Sequence, residues 1–386
     1  MKRIYLDHGA TSFPKAPGVA EAVARFLNQD AGNPGRGGHR LSIRASRVIE
    51  TARESIAGLL GGHPERTLFG PGSTFWLNTL CAGLLRPGDT VVTSVLEHNS
   101  VMRPLRRLEA DRGIHVVKVR TRNASGVPDP SEVRSAVRTA SARFVVMTHA
   151  SNVTGAVFPI EEIAAAVAPV PVIADGAQTA GSVPFDFSAS GLAAYACSGH
   201  KGLLGPTGTG VVLLAPQLAE LVPPLVAGGT GSRSESEEMP EFLPDRLEAG
   251  TPNGAGIAGL DAAARWLLDT GVAAIHRRTT RLVTALASRL AAIPGVEIHG
   301  WDPRRPHTGI LSFTVKGIDT GELAAWLDRE RDIMLRAGLH CAPAAHRWLG
   351  TFPSGTLRPG ISPFTKDADI EALAAAVEDS CLRRRT

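Results

Sequence analysis

The chain has 386 residues, 43% hydrophobic and 20% charged, and its 41 basic and 37 acidic residues leave a formal charge of +4. These are globular values for a chain long enough to form a large domain and a smaller one, and they exclude a disordered or collagen-like protein. No stripe of Lys and Arg interleaved with aromatics occurs, which argues against nucleic acid as a partner, and the one basic run, Arg383 to Arg385, reads as a solvated end.

MKRIYLDHGATS opens the chain with two basic residues and no apolar stretch behind them, while the apolar run Ala164 to Ala174 is broken by Pro169 and Pro171. Neither a leader nor a membrane span is expected, and the protein should remain in the cytoplasm. Cys81, Cys197, Cys341 and Cys381 lie far apart, without CxxC or zinc spacing, and read as reduced thiols with no metal site.

Val19, Ala22, Val23, Phe26 and Leu27 recur at helical spacing. From about residue 67 to 215, short β-rich runs alternate with helical stretches: Val91 to Ser94, His115 to Val119, Phe144 to Thr148, Val172 to Ala174 and Gly210 to Leu214. That alternation predicts an α/β fold with a mostly parallel sheet covered by helices on both faces. Polar residues gather where the strands end: Glu97-His98-Asn99, Ser151-Asn152 and Asp175-Gly176-Ala177-Gln178. In open α/β sheets, ligands bind beyond those carboxyl ends.

Ser232 to Glu238 is a polar run that predicts a mobile surface loop. Beyond it, Leu282, Val283, Leu286 and Leu290 mark a helix, Ile310 to Val315 a strand, Leu323 to Leu327 part of a helix, and Ile370 to Val377 a final amphipathic helix. A domain boundary is placed within residues 255–270.

Cys197-Ser198-Gly199-His200-Lys201-Gly202 follows a predicted strand, and Asp175 ends another. GPTGTG at 205–210 resembles a dinucleotide loop but leads into a strand, whereas that fingerprint leads out of one into a helix. A lysine, a buried acid and nearby hydroxyls suit pyridoxal phosphate, which needs an amine for its Schiff base, an acid facing the pyridine nitrogen and donors for its phosphate. Lys201, Asp175 and the hydroxyls of Ser73, Thr74 and Ser198 supply these, and a helix starting after Gly72 would add backbone donors.

SGHK at 198–201, ADGAQ at 174–178, LEHNS at 96–100, SNVTG at 151–155 and RAGLHCAP at 336–343 together resemble the cysteine desulfurases, class V aminotransferase-fold enzymes that use pyridoxal 5'-phosphate. The resemblance runs from Ile4 to Thr365. It implies fold type I: a large domain with a mostly parallel seven-stranded sheet and a smaller α+β C-terminal domain. The division would give an N-terminal segment, 1–15, joining the small domain, a cofactor-binding domain, 16–260, and a domain carrying the catalytic cysteine, 261–386.

By the same resemblance Lys201 would hold the cofactor, Asp175 would pair with its ring nitrogen, and Gln178 would bond its phenolic oxygen. His98 would stack on the ring and assist proton transfer, and Asn152 would touch the cofactor or the substrate. Ser73, Thr74, Ser198 and His200 would hold the phosphate, with Thr251 reaching that of the other subunit in a homodimer. Arg358 would clamp the carboxylate of L-cysteine or a similar amino acid, with Arg336 nearby. Cys341 would take the substrate's sulfur, its thiolate favoured by Arg336 and His340, and pass it to an acceptor protein. The compact spacing between Arg336 and Arg358 predicts a short cysteine loop and slow unaided turnover.

Several positions depart from the family pattern. His8 and Gly9 stand where LDNAATS is common, Phe75 replaces an acid in the phosphate loop and is expected to dry the pocket, and the serine common two places after the carboxylate arginine is absent. A selenocysteine or cysteine-conjugate lyase, a class V aminotransferase or epimerase, and a catalytically silent scaffold are the alternative readings; Cys341 favours desulfuration, because transamination needs no thiol there.

Overall fold

The computed structural model describes residues 3–383 other than Arg36, Arg120, Arg122 and Ala124; Arg384 and Arg385 of the basic end lie outside the described residues. Strands β1 (Ile4–Tyr5), β2 (Thr67–Gly70), β3 (Thr90–Thr93), β4 (His115–Lys118), β5 (Phe144–Thr148), β6 (Val172–Asp175), β7 (Ala194–Ser198) and β8 (Gly210–Leu214) are followed by β9 (Val296–Ile298), β10 (Phe313–Val315), β11 (Ile333–Met334), β12 (Arg336–Gly338) and β13 (Thr356–Arg358). A seven-stranded sheet has the order β2-β8-β7-β6-β5-β3-β4, with β8 antiparallel to both neighbours and the remaining pairings parallel. The fold is the mostly parallel α/β architecture expected from the alternating pattern.

Alternate residues of the central strands feed two apolar layers. Val145 and Met147 of β5, and Tyr195 and Cys197 of β7, enter one layer with helices Arg40–Leu60 and Ile160–Val167. Phe144 and Val146, with Ala194 and Ala196, enter the other with helices Ser73–Leu84 and Asn99–Arg112. Both faces of the sheet are therefore dry, which accounts for strands that read as unbroken apolar runs. Strand order reverses between β3 and β5, and the chain leaves both strands at the same edge, the position where such sheets gather ligand-binding loops.

The C-terminal portion builds an antiparallel sheet in the order β12-β13-β10-β9. Leu282, Leu286 and Leu290 of helix Val272–Ala291, Leu323 and Leu327 of helix Thr320–Arg331, and Leu373 and Val377 of helix Asp367–Arg383 pack into a third apolar cluster. Leu6 belongs to this cluster, and β1 pairs in parallel with β11. The N-terminal segment is thereby stitched to the small domain and its next residues are carried to the sheet edge.

Helix Gly254–Thr270 contains the sequence-derived boundary at 260/261, yet Ile257, Leu260, Ala263, Ala264 and Leu267 all pack into the large domain's core. Ile275 still belongs to that core, whereas Leu282 and the residues after it belong to the small domain. We therefore place the join along the next helix, after Gly271. The strand expected over 310–315 is shorter, with Ile310 making an isolated bridge to Gly360, and the helix through Leu27 passes into a π-helical turn, Phe26–Asp30. Residues 232–238 are mostly exposed, with Ser232 hydrogen-bonded to Asp245. Among the described residues, no helix is long and apolar enough to cross a membrane, and no cluster of three or more His, Cys, Asp or Glu forms a metal site.

One buried ion pair fastens the segment before Thr251 to the large domain. Arg53 donates to Glu248 at 2.7 and 3.0 Å, and the Phe69 amide donates to the same carboxylate at 2.6 Å. Removing one partner of such a pair leaves an uncompensated buried charge. Glu248→Ala should lower the unfolding free energy by about 3 kcal/mol, read from chemical denaturation; a change within about 0.5 kcal/mol would show that the pair contributes no stability.

Candidate active site

A cavity of about 250 Å³ opens beyond the carboxyl ends of the parallel strands. Asp175 ends β6, Thr148 ends β5 with Asn152 four residues later, Ser198 ends β7 with Lys201 three residues later, and Ser73 opens the helix after β2; all line this cavity. The small domain contributes Arg336 from β12, His340 and Cys341 from the following turn, and Arg358 from β13. Residues 7 to 10 close the remaining side, with Gly9 and Ala10 in the lining.

Lys201 and Asp175 are the opposed charges at the base. Burial pushes the Lys201 ammonium down, opposed by attraction to Asp175, while Arg358 and Arg336 push it the same way as burial. Burial likewise raises the Asp175 carboxyl, offset by Lys201, by the Ala177 amide at 3.0 Å and by the Ser100 hydroxyl at 3.1 Å. An amine that loses its proton more readily than usual is a competent nucleophile and base.

His98 caps helix Asn99–Arg112. Its Nδ1 accepts from the Ser100 amide at 2.9 Å, so the ring proton of the neutral imidazole sits on Nε2. Burial, reinforced by Lys201, Arg358 and Arg103, lowers its pKa to about 4 and keeps it neutral at pH 7. The Ser100 hydroxyl lies 2.8 Å from His98 Nδ1 and 3.1 Å from Asp175 Oδ2, linking the two groups.

Glu97, one residue earlier, is fully buried and accepts from Ser94 Oγ at 2.5 Å and from the Thr148 amide at 3.1 Å. Burial dominates these bonds and raises its pKa to about 8, with Asp175 contributing in the same direction. It stands neutral behind the charged base of the cavity.

At the opposite end, helix Ser73–Leu84 begins after Gly72 with no cap from that residue; the Ser73 amide donates to Ser198 Oγ at 3.3 Å, and the Thr74 and Phe75 amides of the first turn remain available. Ser73 Oγ and Ser198 Oγ share a hydrogen bond of 2.8 Å beside them, and Thr74 and His200 complete this end of the lining. Burial, with help from Lys201 and Lys15, lowers His200 to about 4, leaving it neutral. Backbone amides, two hydroxyls and a helix N-terminus suit a phosphate dianion.

The small domain's wall is ionic. Arg358, 2% exposed, donates from Nη1 to the Asn152 carbonyl at 3.0 Å and from Nη2 to Asp7 Oδ1 at 3.2 Å. Among the described residues its buried Nε has no partner, and neither has Asn152 Oδ1. Arg336 Nη2 lies 3.1 Å from the other oxygen of Asp7. Gly9 gives the Arg358 guanidinium room, because a Cβ there would sit 3.1 Å from Arg358 Cζ.

Cys341 is exposed at the mouth, in a turn where His340 (φ 48°) and Cys341 (φ 57°) both adopt the left-handed conformation. The Asn152 side-chain amide donates to the His340 carbonyl at 2.6 Å, and the Asn99 amide donates to the Cys341 carbonyl at 2.7 Å. Two consecutive carbonyls of the cysteine turn are thereby tied to the large domain. Cys341 lines the same cavity as Lys201 and Arg358.

The structure brings together Lys201, Cys341, His98, Ser73, Thr74, Asn152, Asp175, Gln178, Ser198, His200, Arg336 and Arg358 in one cavity. Thr251 is the exception: it is exposed and lines a neighbouring cleft with Gly208 and Phe75. Phe75 packs edge-on against Trp76 and lies outside the cavity, so its replacement of an acid does not dry the site. His340 is buried with Nε2 3.1 Å from Thr356, and burial with Arg358 lowers its pKa to about 2. A neutral His340 therefore brings no positive charge to the cysteine turn. Gln178 Nε2 donates to the Gly9 carbonyl at 3.0 Å, leaving one N–H and its oxygen for the cavity.

Asp7, Glu97 and Ser100 were not among the sequence-predicted site residues. Asp7 bonds Arg358 across 351 positions, a separation that no local spacing reports. Pyridoxal phosphate fits this donor set: free helix amides and serine hydroxyls at one end, Lys201 and Asp175 at the other, and unpaired buried Asn152 Oδ1 and Arg358 Nε between the domains.

The sequence profile of the aminotransferase class-V family matches residues 4–373. A probable cysteine desulfurase of Methanothermobacter thermautotrophicus is 33% identical over 97% of this chain and 94% of its own length. The cysteine desulfurase CsdA of Escherichia coli is also 33% identical, over 97% and 93%. The solved apo structure of the cysteine desulfurase from Thermococcus onnurineus NA1 superposes with a TM-score of 0.92 at 30% identity, covering 98% of this chain and 94% of that one.

Glu97 sets a pH-dependent stability. Its folded pKa, about 8, exceeds the ordinary glutamate value of 4.5, so the native state holds the proton more tightly and stability is lost as pH rises through about 8. Glu97→Gln should gain stability over the wild type by at least about 1.4 kcal/mol between pH 5 and pH 9, measured by urea unfolding. Parallel curves for the two proteins would show that Glu97 is ionised in the folded state throughout.

Proposed function

The chain belongs to the aminotransferase class-V family and, within it, to the cysteine desulfurases; from that premise we propose that it takes sulfur from L-cysteine onto Cys341, leaving L-alanine. The observation that carries this reading is the sharing of one cavity by a half-buried lysine and a buried aspartate, a buried arginine, and a cysteine at the mouth.

Ser73, Thr74, Ser198, His200 and the first-turn amides would hold the phosphate of pyridoxal phosphate, and Asp175 and Lys201 would hold its ring and carbonyl end. Bound there, the cofactor supplies a carbonyl that bonds amines and a ring that stores the electron pair freed at the substrate's α-carbon.

The protein's own groups do the rest. Lys201 Nζ, its proton affinity lowered by burial, can surrender and recover a proton more readily than a solvated lysine. Arg358 lines the cavity and presents the guanidinium protons not taken by Asp7 and the Asn152 carbonyl to the substrate carboxylate, a planar match to two oxygens. Neutral His98 offers a flat ring and one Nε2–H without adding positive charge. With the carboxylate held by Arg358, the substrate's side chain points toward Cys341. The Cys341 thiolate attacks the substrate sulfur, an S–S bond forms as the carbon–sulfur bond breaks, and the carbon recovers a proton. L-cysteine and a thiol become L-alanine and a persulfide, with no external reductant consumed.

The anchored cysteine turn supports a further part of this reading. With both carbonyls tied to Asn152 and Asn99, the persulfide has little reach into solvent, so an acceptor protein must approach the mouth. The exposed apolar residues Leu221, Leu225, Val226 and Phe242, with Thr251 on the same connecting region, support a homodimer. Cys341, Cys381 and the buried Cys81 and Cys197 are free thiols, in keeping with action in the reducing cytoplasm.

Cofactor-loaded protein given L-cysteine alone should form about one L-alanine per site and then nearly stop, resuming when a thiol reductant or acceptor is added. Cys341→Ser should retain the cofactor's visible absorbance and lose alanine formation by about a hundredfold or more. Sustained alanine release by that variant would favour a lyase or aminotransferase.

A further inference from the structure

Outside the cavity, the cysteine turn is flanked by cations from three segments. The Asn99 amide donates to the Cys341 carbonyl, so helix Asn99–Arg112 starts against the turn, and that helix exposes Arg103, Arg106 and Arg107. Helix Pro343–Leu349 starts two residues after Cys341 and exposes Arg347. Its Trp348 packs against Gly126, in the segment that follows β4, where an added Cβ would lie 3.0 Å from the indole ring. Half-buried Lys118 ends β4 itself.

Little negative charge answers these groups. Arg106 and Arg107 pair with Glu109 and Asp111 on their own helix, whereas Arg103, Lys118 and Arg347 form no ion pair among the described residues. Burial pushes the Lys118 ammonium down, and the like charges of Arg106 and Arg347 push the same way, against smaller pulls from Glu97 and Glu109. Like charges gathered at a surface repel one another until an opposite charge covers them. Arg347 also lies over the exposed ring of Phe352, its Cζ 4.4 Å from the centroid. The Phe352 amide donates to the His346 carbonyl at 3.2 Å, which fixes the ring beside the same helix. An arginine stacked on an aromatic ring is the kind of group that carries binding energy at protein interfaces.

We propose that this rim docks the protein that accepts sulfur from Cys341, and that the partner presents its thiol from an acidic surface matched to Arg103, Arg106, Lys118 and Arg347, with an apolar contact for Phe352. The inference rests on the proposed function, because it takes Cys341 to carry a persulfide. The partner's thiolate attacks the outer sulfur of that persulfide, a new S–S bond forms, and the Cys341 thiolate leaves, so no oxidant or reductant is consumed. Charge matched in this way acts chiefly on the rate of encounter.

The test gives persulfide-loaded protein three synthetic peptides, each with one cysteine: an acidic one, a neutral one with amides in place of the acids, and a basic one. The charges stand several residues from the thiol, and sulfur transfer to each peptide is timed by mass analysis. At low salt the wild type should favour the acidic peptide over the neutral one by about tenfold or more, an advantage that salt at about 0.5 M should largely remove. Combining Arg106→Gln, Lys118→Gln and Arg347→Gln should cut that preference by about tenfold and leave the single burst of L-alanine intact. Equal rates for the acidic and neutral peptides, a preference for the basic one, or a preference unchanged in the triple variant overturns the inference alone. Transfer RNA that blocks the acidic peptide at about 0.15 M salt would assign the rim to nucleic acid and overturn it as well. Wild type that takes up pyridoxal phosphate but gives no burst of L-alanine overturns the proposed function and this inference with it.

Discussion

The site depends on keeping an ammonium and a carboxylate out of water at the end of a parallel sheet. Lys201 and Asp175 are each disfavoured in charged form by burial, and each is partly rescued by the other. Such a pair is costly to bury and contributes little net stability. What it provides is an amine that releases its proton readily, opposite an acid whose oxygens are held by the Ala177 amide and Ser100 hydroxyl. The two-faced apolar packing of β5, β6, β7 and β8 makes the environment dry enough for this, so the core of the large domain also sets the electrostatics of the cavity.

The second constraint is the joining of two domains and the N-terminal segment around that base. β1 and Leu6 tie the chain's start to the small domain, which brings Asp7 between the two arginines. Arg358 bonds the backbone of the large domain through the Asn152 carbonyl, and the Asn152 side chain in turn holds the cysteine turn. The groups proposed to hold the carboxylate and to receive sulfur thus share one asparagine as their anchor.

Much of this was legible in the sequence because the strands are buried on both faces. Apolar runs ending in Thr148 and Asp175 identify both the sheet and the edge at which ligands bind. Less visible were strands of two or three residues, such as β1 and β11, too short to show any period. We place the domain join later than the sequence reading does, because the packing of Gly254–Thr270 into the large domain's core is a tertiary property that its spacing does not report. Asp7 could not be assigned from spacing, since its partners lie 329 and 351 positions away. His340 misled for a similar reason: beside a cysteine in sequence it reads as an activating cation, whereas burial against Thr356 leaves it neutral.

The central claim is that Lys201 and Cys341 act on one substrate from opposite sides of one cavity. Mass analysis of the peptide containing Cys341, after cofactor-loaded protein has met L-cysteine and been quenched with an alkylating agent, tests it directly. The account predicts the added mass of one sulfur atom on Cys341 in the wild type and none in Lys201→Ala. Sulfur on another cysteine, or undiminished sulfur on Cys341 in the lysine variant, would contradict it.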